Sequence, residues 1–171
     1  MAEIKIPKAR VAVLLGVKGK TKRRIEIITN TKLKINSKEG EVEISGEPFE
    51  VYQAEPILKA IARGFNPDTA LCLGYEENCF ELIDIKHYSG NSKKKFSRMK
   101  SRLIGAKGKC RKTIEQIAGV KLSIYGKTVG IIGKIEDVHL ARIAVLDILN
   151  GAPHGPVYKN LEERVSKLEQ K

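Results

Sequence analysis

Hydrophobic and polar positions follow a fixed order of periods along residues 1–65. Three short segments alternate with period two and predict strands, whereas three others carry apolar residues at helical spacing and predict helices. In chain order they are the strand EIKI (3–6), the helices ARVAVLLG (9–16) and KGKTKRRIEIITN (18–30), the strands KLKI (32–35) and VEIS (42–45), and the helix GEPFEVYQAEPILKAIARGF (46–65). The predicted order is strand, helix, glycine turn, helix, strand, strand, helix.

The same order of patterns returns in the second half of the chain. Its predicted elements are the strand CFELIDI (79–85), the helices FSRMKSRLIG (96–105) and GKCRKTIEQIAG (108–119), the strands VKLSIY (120–125) and TVGIIG (128–133), and the helix KIEDVHLARIAVLDILNG (134–151). The polar run HYSGNSKKK (87–95) predicts a loop. Residues 16–35 and 105–124 are identical at ten of twenty positions without a gap. Such a repeat indicates that each copy is one structural unit.

The repeat divides the chain into two α+β domains. We expect a first domain over residues 1–65, a connector over 66–78, a second domain over 79–152 and a helical tail over 153–171. In the tail, Leu161, Val165 and Leu168 recur at helical spacing, and this stripe is expected to pack on a domain or on a partner.

Each repeat places the motif G-x-x-G between its first two helices. Glycine permits a tight turn and lets a ligand approach the main chain closely. The second helix starts directly after the turn, so its free N–H groups and its positive dipole end attract an anion. Lysine occupies the third position of the motif and the position after the motif in both copies. The pattern predicts a loop that binds phosphate.

The residues assigned to this binding are the four loop positions and the cations around them. In the first copy they are Gly16, Val17, Lys18, Gly19, Lys20, Lys22 and Arg23. In the second copy they are Arg98, Arg102, Gly105, Ala106, Lys107, Gly108, Lys109, Arg111 and Lys112.

The residues around each G-x-x-G motif exclude a P-loop site for a nucleoside triphosphate. The GKT at residues 19–21 is similar to the end of a P-loop, but the first glycine of that motif would fall on Leu14. The second copy has Leu103 at that place and Cys110 where a hydroxyl is needed. No G-x-G-x-x-G follows a strand either, which excludes the dinucleotide-binding motif.

The net charge of +12 follows the two repeats. Residues 1–65 carry +5 and residues 96–171 carry +8, whereas residues 66–95 carry −1. Such a distribution favours a polyanionic partner, above all nucleic acid. The alternative is a heat-adapted surface rich in Lys and Glu, which would show mixed signs rather than a large excess.

Metal binding and catalysis have little support in the sequence. The three cysteines form no C-x-x-C pair, and the spacing of Cys72, Cys79 and His87 is unlike known zinc sites. The histidines lack partners at useful spacing, and no carboxylate cluster suits two metal ions. We therefore predict no metal, no cofactor and no enzyme activity. Because no long apolar run or signal segment is present, a soluble cytoplasmic protein without membrane contact is expected.

The order strand–helix–GxxG–helix–strand–strand–helix resembles the KH domain, and the chain shows it twice. Only fifteen residues precede Gly16, and a strand and a long helix follow the loop, which matches the type I order. The resemblance implies tandem type I KH domains, each with a three-stranded sheet and three helices on one face, plus a C-terminal helix. It also implies that each loop holds about four single-stranded nucleotides by their backbone.

The bases of those nucleotides would lie on an apolar groove floor beside each loop. The floor residues that the resemblance implies are Val13, Leu14, Ile25, Leu33 and Ile35 in the first copy, and Leu103, Ile104, Ile114, Leu122 and Ile124 in the second. An interpretation of these aliphatic residues as plain core is equally natural.

A narrower resemblance covers most of the chain and is tightest over residues 79–160. SRLIG ahead of the second loop, TIE in the following helix, ARIAVLDILNG in the last helix of the repeat and GPVY after it resemble the archaeal and eukaryotic two-KH-domain factor of small-subunit ribosome assembly. That family is the partner of the pre-rRNA 3′-end endonuclease, and archaeal members are associated with the alpha subunit of translation initiation factor two. Eukaryotic members lack the first GxxG, whereas this chain keeps Gly16 and Gly19.

The leading hypothesis is therefore an RNA-binding assembly factor that grips single-stranded RNA, by resemblance the 3′ region of the small-subunit rRNA. The alternative is a protein-interaction scaffold or a general translation-linked RNA-binding factor, in which only the second copy binds RNA. The first copy is the candidate scaffold because its charge excess is smaller and Glu39, Glu41 and Glu43 crowd its strand turn.

Overall fold

The two copies of the repeat fold as two separate units in a computed structural model that describes all residues from 1 to 171. The first unit comprises Met1–Asn78 and the second comprises Cys79–Lys171. Each unit has its own three-stranded sheet together with helices, so the predicted α+β class is confirmed. None of the helices combines the length and the apolar character needed to cross a membrane.

The first unit follows the predicted order of elements. Its elements are β1 (Ala2–Lys5), α1 (Lys8–Leu15), α2 (Lys20–Thr29), β2 (Lys32–Asn36), β3 (Glu41–Ser45), α3 (Pro48–Ala62) and the short α4 (Pro67–Ala70). The strand order in the sheet is β1-β3-β2, and β3 is antiparallel to both neighbours.

Alternation along the strands separates the core of the first unit from solvent. Val42 and Ile44 of β3 are fully buried, and Leu33 lies opposite Ile44 with 4% of its surface exposed. The intervening Lys32 and Lys34 are exposed. Because side chains in a strand point alternately to the two faces, one face of the sheet packs against α2 and α3 and the other carries charge.

Helix α3 begins at a local capping signal, and a long-range contact holds its other end. Glu47 and Glu50 form a capping box in which each side chain accepts a hydrogen bond from the other's backbone N–H, and Pro48 occupies the first turn. At the other end, Arg10 of α1 donates hydrogen bonds of 2.8 and 2.7 Å to the carbonyl oxygens of Ile61 and Phe65. The guanidinium thus ties α1 to the end of α3.

Residues 66–78, expected as a connector, form α4 and one 3-10 turn, Leu71–Gly74. The Asn66 side chain accepts a hydrogen bond from the Asp68 N–H and so caps α4. Ala70 and Leu71 are buried, and the Asp68 carboxylate pairs with Arg24 of α2. The segment therefore packs on the first unit through α2 and α3.

The second unit repeats the architecture and extends it. Its elements are β4 (Asn78–Asp84), α5 (Ile85–Ser89), α6 (Lys93–Ile104), α7 (Lys109–Ala118), β5 (Lys121–Tyr125), β6 (Thr128–Lys134), α8 (Ile135–Leu149) and α9 (His154–Glu169). The strand order β4-β6-β5 is equivalent to that of the first sheet.

The aligned positions of the two repeats have the same burial. Four aligned pairs of large aliphatic residues are fully buried in both units: Leu14 and Leu103, Ile25 and Ile114, Val42 and Val129, and Ile44 and Ile131. The sequence identity between the repeats therefore reflects a shared hydrophobic core as well as a shared loop.

The prediction of a loop over residues 87–95 was wrong. Helix α5 extends to Ser89, and α6 begins already at Lys93. Ser92 accepts a hydrogen bond from the Lys95 N–H and so caps α6, while Gly90, with φ +61°, separates the two helices. The polar composition concealed the helix start because lysine, as a good helix former, extends α6 without adding apolar periodicity.

The tail expected over residues 153–171 forms α9 and packs on α7 and α8. Val157 and Leu161 are buried in the core of the second unit, and Val165 contacts that core while partly exposed. Leu161 and Val165 belong to the apolar stripe seen in the sequence, which therefore faces the chain's own second unit.

Candidate nucleic-acid interface

The two GxxG loops have the same backbone conformation. Gly16 and Gly105 have φ/ψ of 70°/178° and 76°/171°, and Gly19 and Gly108 have 72°/17° and 73°/16°. Lys18 and Lys107 both adopt 53°/30°, in the left-handed region that non-glycine residues rarely occupy. The last glycine of each loop donates its N–H to the carbonyl oxygen of the first, over 3.3 and 3.1 Å. The turn is therefore one structure made twice.

The two glycines of each loop have different surroundings. A Cβ at Gly16 would overlap the Thr21 side chain, and one at Gly105 would lie 2.6 Å from the Cys110 backbone nitrogen. A Cβ at Gly19 would meet nothing within 4 Å, and one at Gly108 only side-chain ends at 3.9 Å. The first glycine is needed for packing against the following helix, while the second leaves open space where a ligand can reach the backbone.

Helices α2 and α7 begin immediately after these open glycines. Neither N-terminus has a side-chain cap or an acidic residue in its first turn. The first N–H groups of both helices are therefore free of protein side chains and lie at the positive end of the helix dipole. This arrangement suits an anionic oxygen such as that of a phosphate.

The cations assigned to the first loop have different partners in the structure. Lys18 and Lys20 are exposed and form no ion pair. Arg23 donates to the carbonyl oxygens of Lys18 and Gly19 and so braces the loop. Lys22 lies 3.9 Å from the Glu26 carboxylate. Two lysines of this loop are therefore free to meet a phosphate.

The second loop repeats this division. Lys107, Lys109 and Lys112 are exposed and form no ion pair, whereas the Arg111 guanidinium pairs with Glu115 at 2.7 Å. Val17 and Ala106, the second residues of the two loops, are exposed. The free cations of the second unit thus surround the open glycine.

The two arginines predicted ahead of the second loop differ. Arg98 is exposed on α6. Arg102 instead donates to the carbonyl oxygens of Ile148 and Ala152 at 2.8 and 2.5 Å, and its own carbonyl lies 2.8 Å from the His154 ring nitrogen. The structure therefore places Arg102 in a junction between α6 and the residues around α9.

The predicted floor residues separate into core and surface. Six of them are at most 5% exposed and belong to the core: Leu14, Ile25, Leu33, Leu103, Ile114 and Leu122. The other four are partly exposed: Val13, Ile35, Ile104 and Ile124. Only these four offer apolar surface to a ligand.

Sequence reasoning did not assign a role to the glutamate that both repeats share. Glu26 accepts a hydrogen bond from the Leu33 N–H at 2.8 Å, and Glu115 accepts one from the Leu122 N–H at 3.0 Å. Each carboxylate joins the second helix of its unit to the strand beside the apolar surface. The signal was present, because Glu and the cation four residues before it occur at the same places in both repeats.

Comparison with known families matches both units. A model described as the eukaryotic type KH domain, type I, matches residues 79–166, more than half of the chain. The general KH domain model matches residues 1–60. The chain belongs to the type I KH-domain family.

Curated relatives align with most of this chain. A KH domain-containing protein of Methanocaldococcus jannaschii is 43% identical over 98% of this chain and 75% of its own length. The RNA-binding protein pno1 of Drosophila pseudoobscura is 29% identical over 85% of this chain and 64% of its own length. The pre-rRNA-processing protein pno1 of Aspergillus fumigatus is 27% identical over 81% of this chain and 58% of its own. The predicted resemblance to this KH-domain assembly-factor family is confirmed.

Solved structures of similar chains have the same two-KH architecture. Dim2p from Pyrococcus horikoshii superposes with a TM-score of 0.87 at 41% identity, covering 95% of this chain and 98% of that one. A chain in the complex of a/eIF2alpha, aDim2p and rRNA from the same organism gives 0.89 at 40% identity, covering 97% and 94%. A protein of unknown function from Aeropyrum pernix gives 0.93 at 28% identity, covering 99% and 92%. The predicted tandem KH fold is confirmed.

Cys110 of the second KH unit is a packing residue. It is 2% exposed, burial raises the pKa of its thiol, and Tyr158 of α9 is its hydrogen-bond partner. Burial and the Cys110 hydrogen bond raise the pKa of Tyr158 to about 12. A thiol with a raised pKa is a poor nucleophile. No group of three or more His, Cys, Asp or Glu side chains is placed to hold a metal ion.

Proposed function

We propose that this chain binds single-stranded RNA through its two GxxG loops and acts in the maturation of small-subunit rRNA. The observation that carries the proposal is the surroundings of the second glycine of each loop. This glycine is open to solvent, lies at an uncapped helix N-terminus and has free lysines on both sides, and both units share this geometry. The names of the relatives support the RNA and the process: pre-rRNA-processing proteins, and a complex that contains rRNA.

The role that this geometry supports is holding rather than cutting. Phosphate contacts at the loops supply affinity, and base contacts on the partly exposed aliphatic residues supply preference. We assign no chemical step to the chain. Its action would be to position or shield an RNA end, and two loops acting on one strand would bind more tightly than either loop alone.

Paired charge reversals test the proposal. We expect Lys18→Asp with Lys20→Asp, and separately Lys107→Asp with Lys109→Asp, to weaken binding of a single-stranded oligonucleotide from the 3′ region of small-subunit rRNA. With about six phosphates neutralised, the logarithm of the wild-type association constant falls against log salt with a slope near −4. Each double variant flattens this slope by about 1.4, because it removes two lysines at about 0.7 for each phosphate contact. Fluorescence anisotropy across a salt series measures both effects.

The matched control is Lys134→Asp with Lys167→Asp, at exposed lysines before the start of α8 and in the last turn of α9. It should change affinity far less than either loop variant. Equal effects of all three double variants, or a wild type with no salt dependence, would contradict phosphate binding at the loops.

We also propose that the first unit binds a protein, because it exposes large apolar side chains. Phe49, Tyr52 and Tyr75 are 65%, 74% and 67% exposed, and Ile27 of α2 is 80% exposed. Exposed aromatic residues are enriched in protein interfaces. The related aDim2p occurs in a complex with a/eIF2alpha, so the alpha subunit of initiation factor two is the first partner to test. The pre-rRNA endonuclease and the cytoplasmic location stay predictions from the sequence.

Substitution of Phe49 and Tyr52 by serine separates the two functions. We expect the double variant to lose affinity for the alpha subunit in calorimetry and to keep the wild-type affinity for RNA. If both affinities are unchanged, the exposed aromatic residues have no part in binding this subunit.

A further inference from the structure

A cationic cavity lies in the second unit at the N-terminal end of α6, whereas the GxxG loop follows the C-terminal end of that helix. The cavity has a volume of about 230 Å³. Its walls come from the end of α5, the turn at Gly90–Ser92, the first turn of α6 and the β5–β6 turn. The cavity lies at the segment for which the sequence pattern predicts a loop, and the GxxG motif does not include it.

The charges around the cavity favour an anion. Lys86, Lys93 and Lys127 line it, no carboxylate lines it, and none of the three lysines forms an ion pair. The acid nearest along the chain is Asp84, whose carboxylate accepts the Lys86 N–H at 2.9 Å and so caps α5. Three cations around one small space attract a phosphate, since none of them is held in an ion pair and no carboxylate is among the lining residues.

The remaining walls suit the other parts of a nucleotide. Phe96 supplies an apolar aromatic wall, and Asn91 and Ser92 supply polar groups to the lining. Ser89, 5% exposed, also lines the cavity. Aromatic side chains are the surfaces on which bases of single-stranded nucleic acid stack. Phe96 also packs on the core of the second unit while partly exposed, so its position against the cavity is fixed.

Side chains at regular spacing on α6 connect the cavity to the second RNA groove. Phe96, Lys100 and Ile104 are four residues apart and so lie along one side of the helix. Lys100 Nζ lies 6.0 Å from the centre of the Phe96 ring and donates 3.0 Å to the Gly126 carbonyl oxygen. Ile104 and Ile124, the partly exposed floor residues, continue this path toward the loop.

Helix α5, which supplies one wall of the cavity, has no counterpart in the first unit. Helix α1 has eight residues and begins three residues after β1 ends, whereas α6 has twelve and is preceded by α5. The ungapped repeat alignment places Pro7 opposite Phe96. Two walls of the cavity, α5 and the first turn of the longer α6, are therefore additions found in the second KH unit.

We propose that this cavity is a further subsite for the RNA strand, which holds the phosphate of one nucleotide on its lysines and the base against Phe96. The proposal rests on RNA binding at the second GxxG loop. Helix α6 separates cavity and loop by about 18 Å, and a stacked strand rises about 3.4 Å per nucleotide along its axis, so a strand of ten nucleotides can reach both sites. A strand of four fills only the loop groove.

Oligonucleotide length tests this subsite. The cavity variant carries Lys86→Gln, Lys93→Gln and Lys127→Gln, and a second variant carries Phe96→Leu. The charge-matched control carries Lys134→Gln, Lys167→Gln and Lys171→Gln, which lie elsewhere in the same unit. Each variant is measured against a four-nucleotide and a ten-nucleotide single-stranded RNA at two salt concentrations.

We expect the cavity variant to weaken binding of the ten-nucleotide RNA about tenfold relative to the control and to flatten its salt slope by about 0.7 for each phosphate that the cavity no longer neutralises. Binding of the four-nucleotide RNA should match the control, and Phe96→Leu should weaken only the longer RNA. Equal losses for both lengths, or losses equal to the control, overturn the subsite while RNA binding at the loops stands. A wild type that binds neither RNA overturns both proposals.

Discussion

At the scale of single residues, the two glycines of one motif have different physical tasks. Ala at position 105 would place its Cβ 2.6 Å from the Cys110 nitrogen in a left-handed backbone, whereas Ala at 108 is strained by φ alone. Left-handed conformation costs roughly 1–2 kcal/mol for a residue with a Cβ. Gly105 and Gly108 therefore look equivalent in the motif pattern but tolerate a side chain to different degrees.

We expect Gly105→Ala to lower the free energy of unfolding clearly more than Gly108→Ala, whose cost should stay within about 2 kcal/mol. Gly108→Ala should fold and yet bind RNA more weakly, because its methyl group occupies the open side of the loop. Urea unfolding followed by RNA titration of both variants checks this. Equal stability losses would show that the close contact at Gly105 relaxes freely.

The sequence identifies the loop residues at this scale but not all their partners. The glycines, Lys18 and Lys107 follow from the motif, since spacing alone defines a G-x-x-G turn. The pairing of Arg111 with Glu115 could also be predicted from the sequence, because the two residues lie four positions apart on one helix. The carbonyl partners of Arg102 are 46 and 50 residues away, and no local pattern encodes them.

At the scale of elements, the shared glutamate fixes a helix to a strand. The Glu115 side chain is 12% exposed, and its two oxygens are used by the Arg111 guanidinium and the Leu122 N–H. Removing it leaves a partly buried N–H without its acceptor at the start of β5. A lost partner of this kind costs about 1–3 kcal/mol.

We therefore expect Glu115→Ala to lower the free energy of unfolding by about 1–3 kcal/mol. Gln116→Ala, at the exposed neighbouring position, is the control and should have little effect. Thermal unfolding monitored by circular dichroism measures the difference. If Glu115→Ala is as stable as its control, water replaces the carboxylate at no cost.

The periodicity predicted the strands and most helices because each buries one face, which leaves a period of two or 3.6 in the sequence. It failed at α5 and at the start of α6. Helix α5 has five residues, of which only Ile85 and Ser89 are buried. Two buried positions are too few to show a helical period. The cavity lies beside α5, so the shortness of this helix also kept the candidate site from being predicted.

At the scale of the whole molecule, the two KH units are unequal. The first closes with α4 and a 3-10 turn, and the second closes with α9, which contributes Val157 and Leu161 to the core. The second unit alone also has α5, which forms one wall of the cavity. Duplication thus supplied a common frame, and the additions distinguish the two copies.

Truncation after residue 152 tests the dependence of the second unit on α9. It exposes the apolar surface of α7 and α8 that Val157 and Leu161 cover, so we expect amide hydrogens in α7 and β5 to exchange much faster. Amides of β2 and β3 in the first unit serve as the internal control and should keep their protection. Hydrogen exchange followed by mass spectrometry distinguishes the cases, and unchanged protection in α7 would make α9 dispensable.

Helix α9 also sets an order of events during synthesis. Every core position of the first unit has left the ribosome long before residue 157 is made, so that unit can fold while translation continues. The core of the second unit is completed only when Val157 and Leu161 have been made, and until then the surface that they cover stays exposed. A nascent chain would therefore form the RNA-binding loop of its first unit well before that of its second.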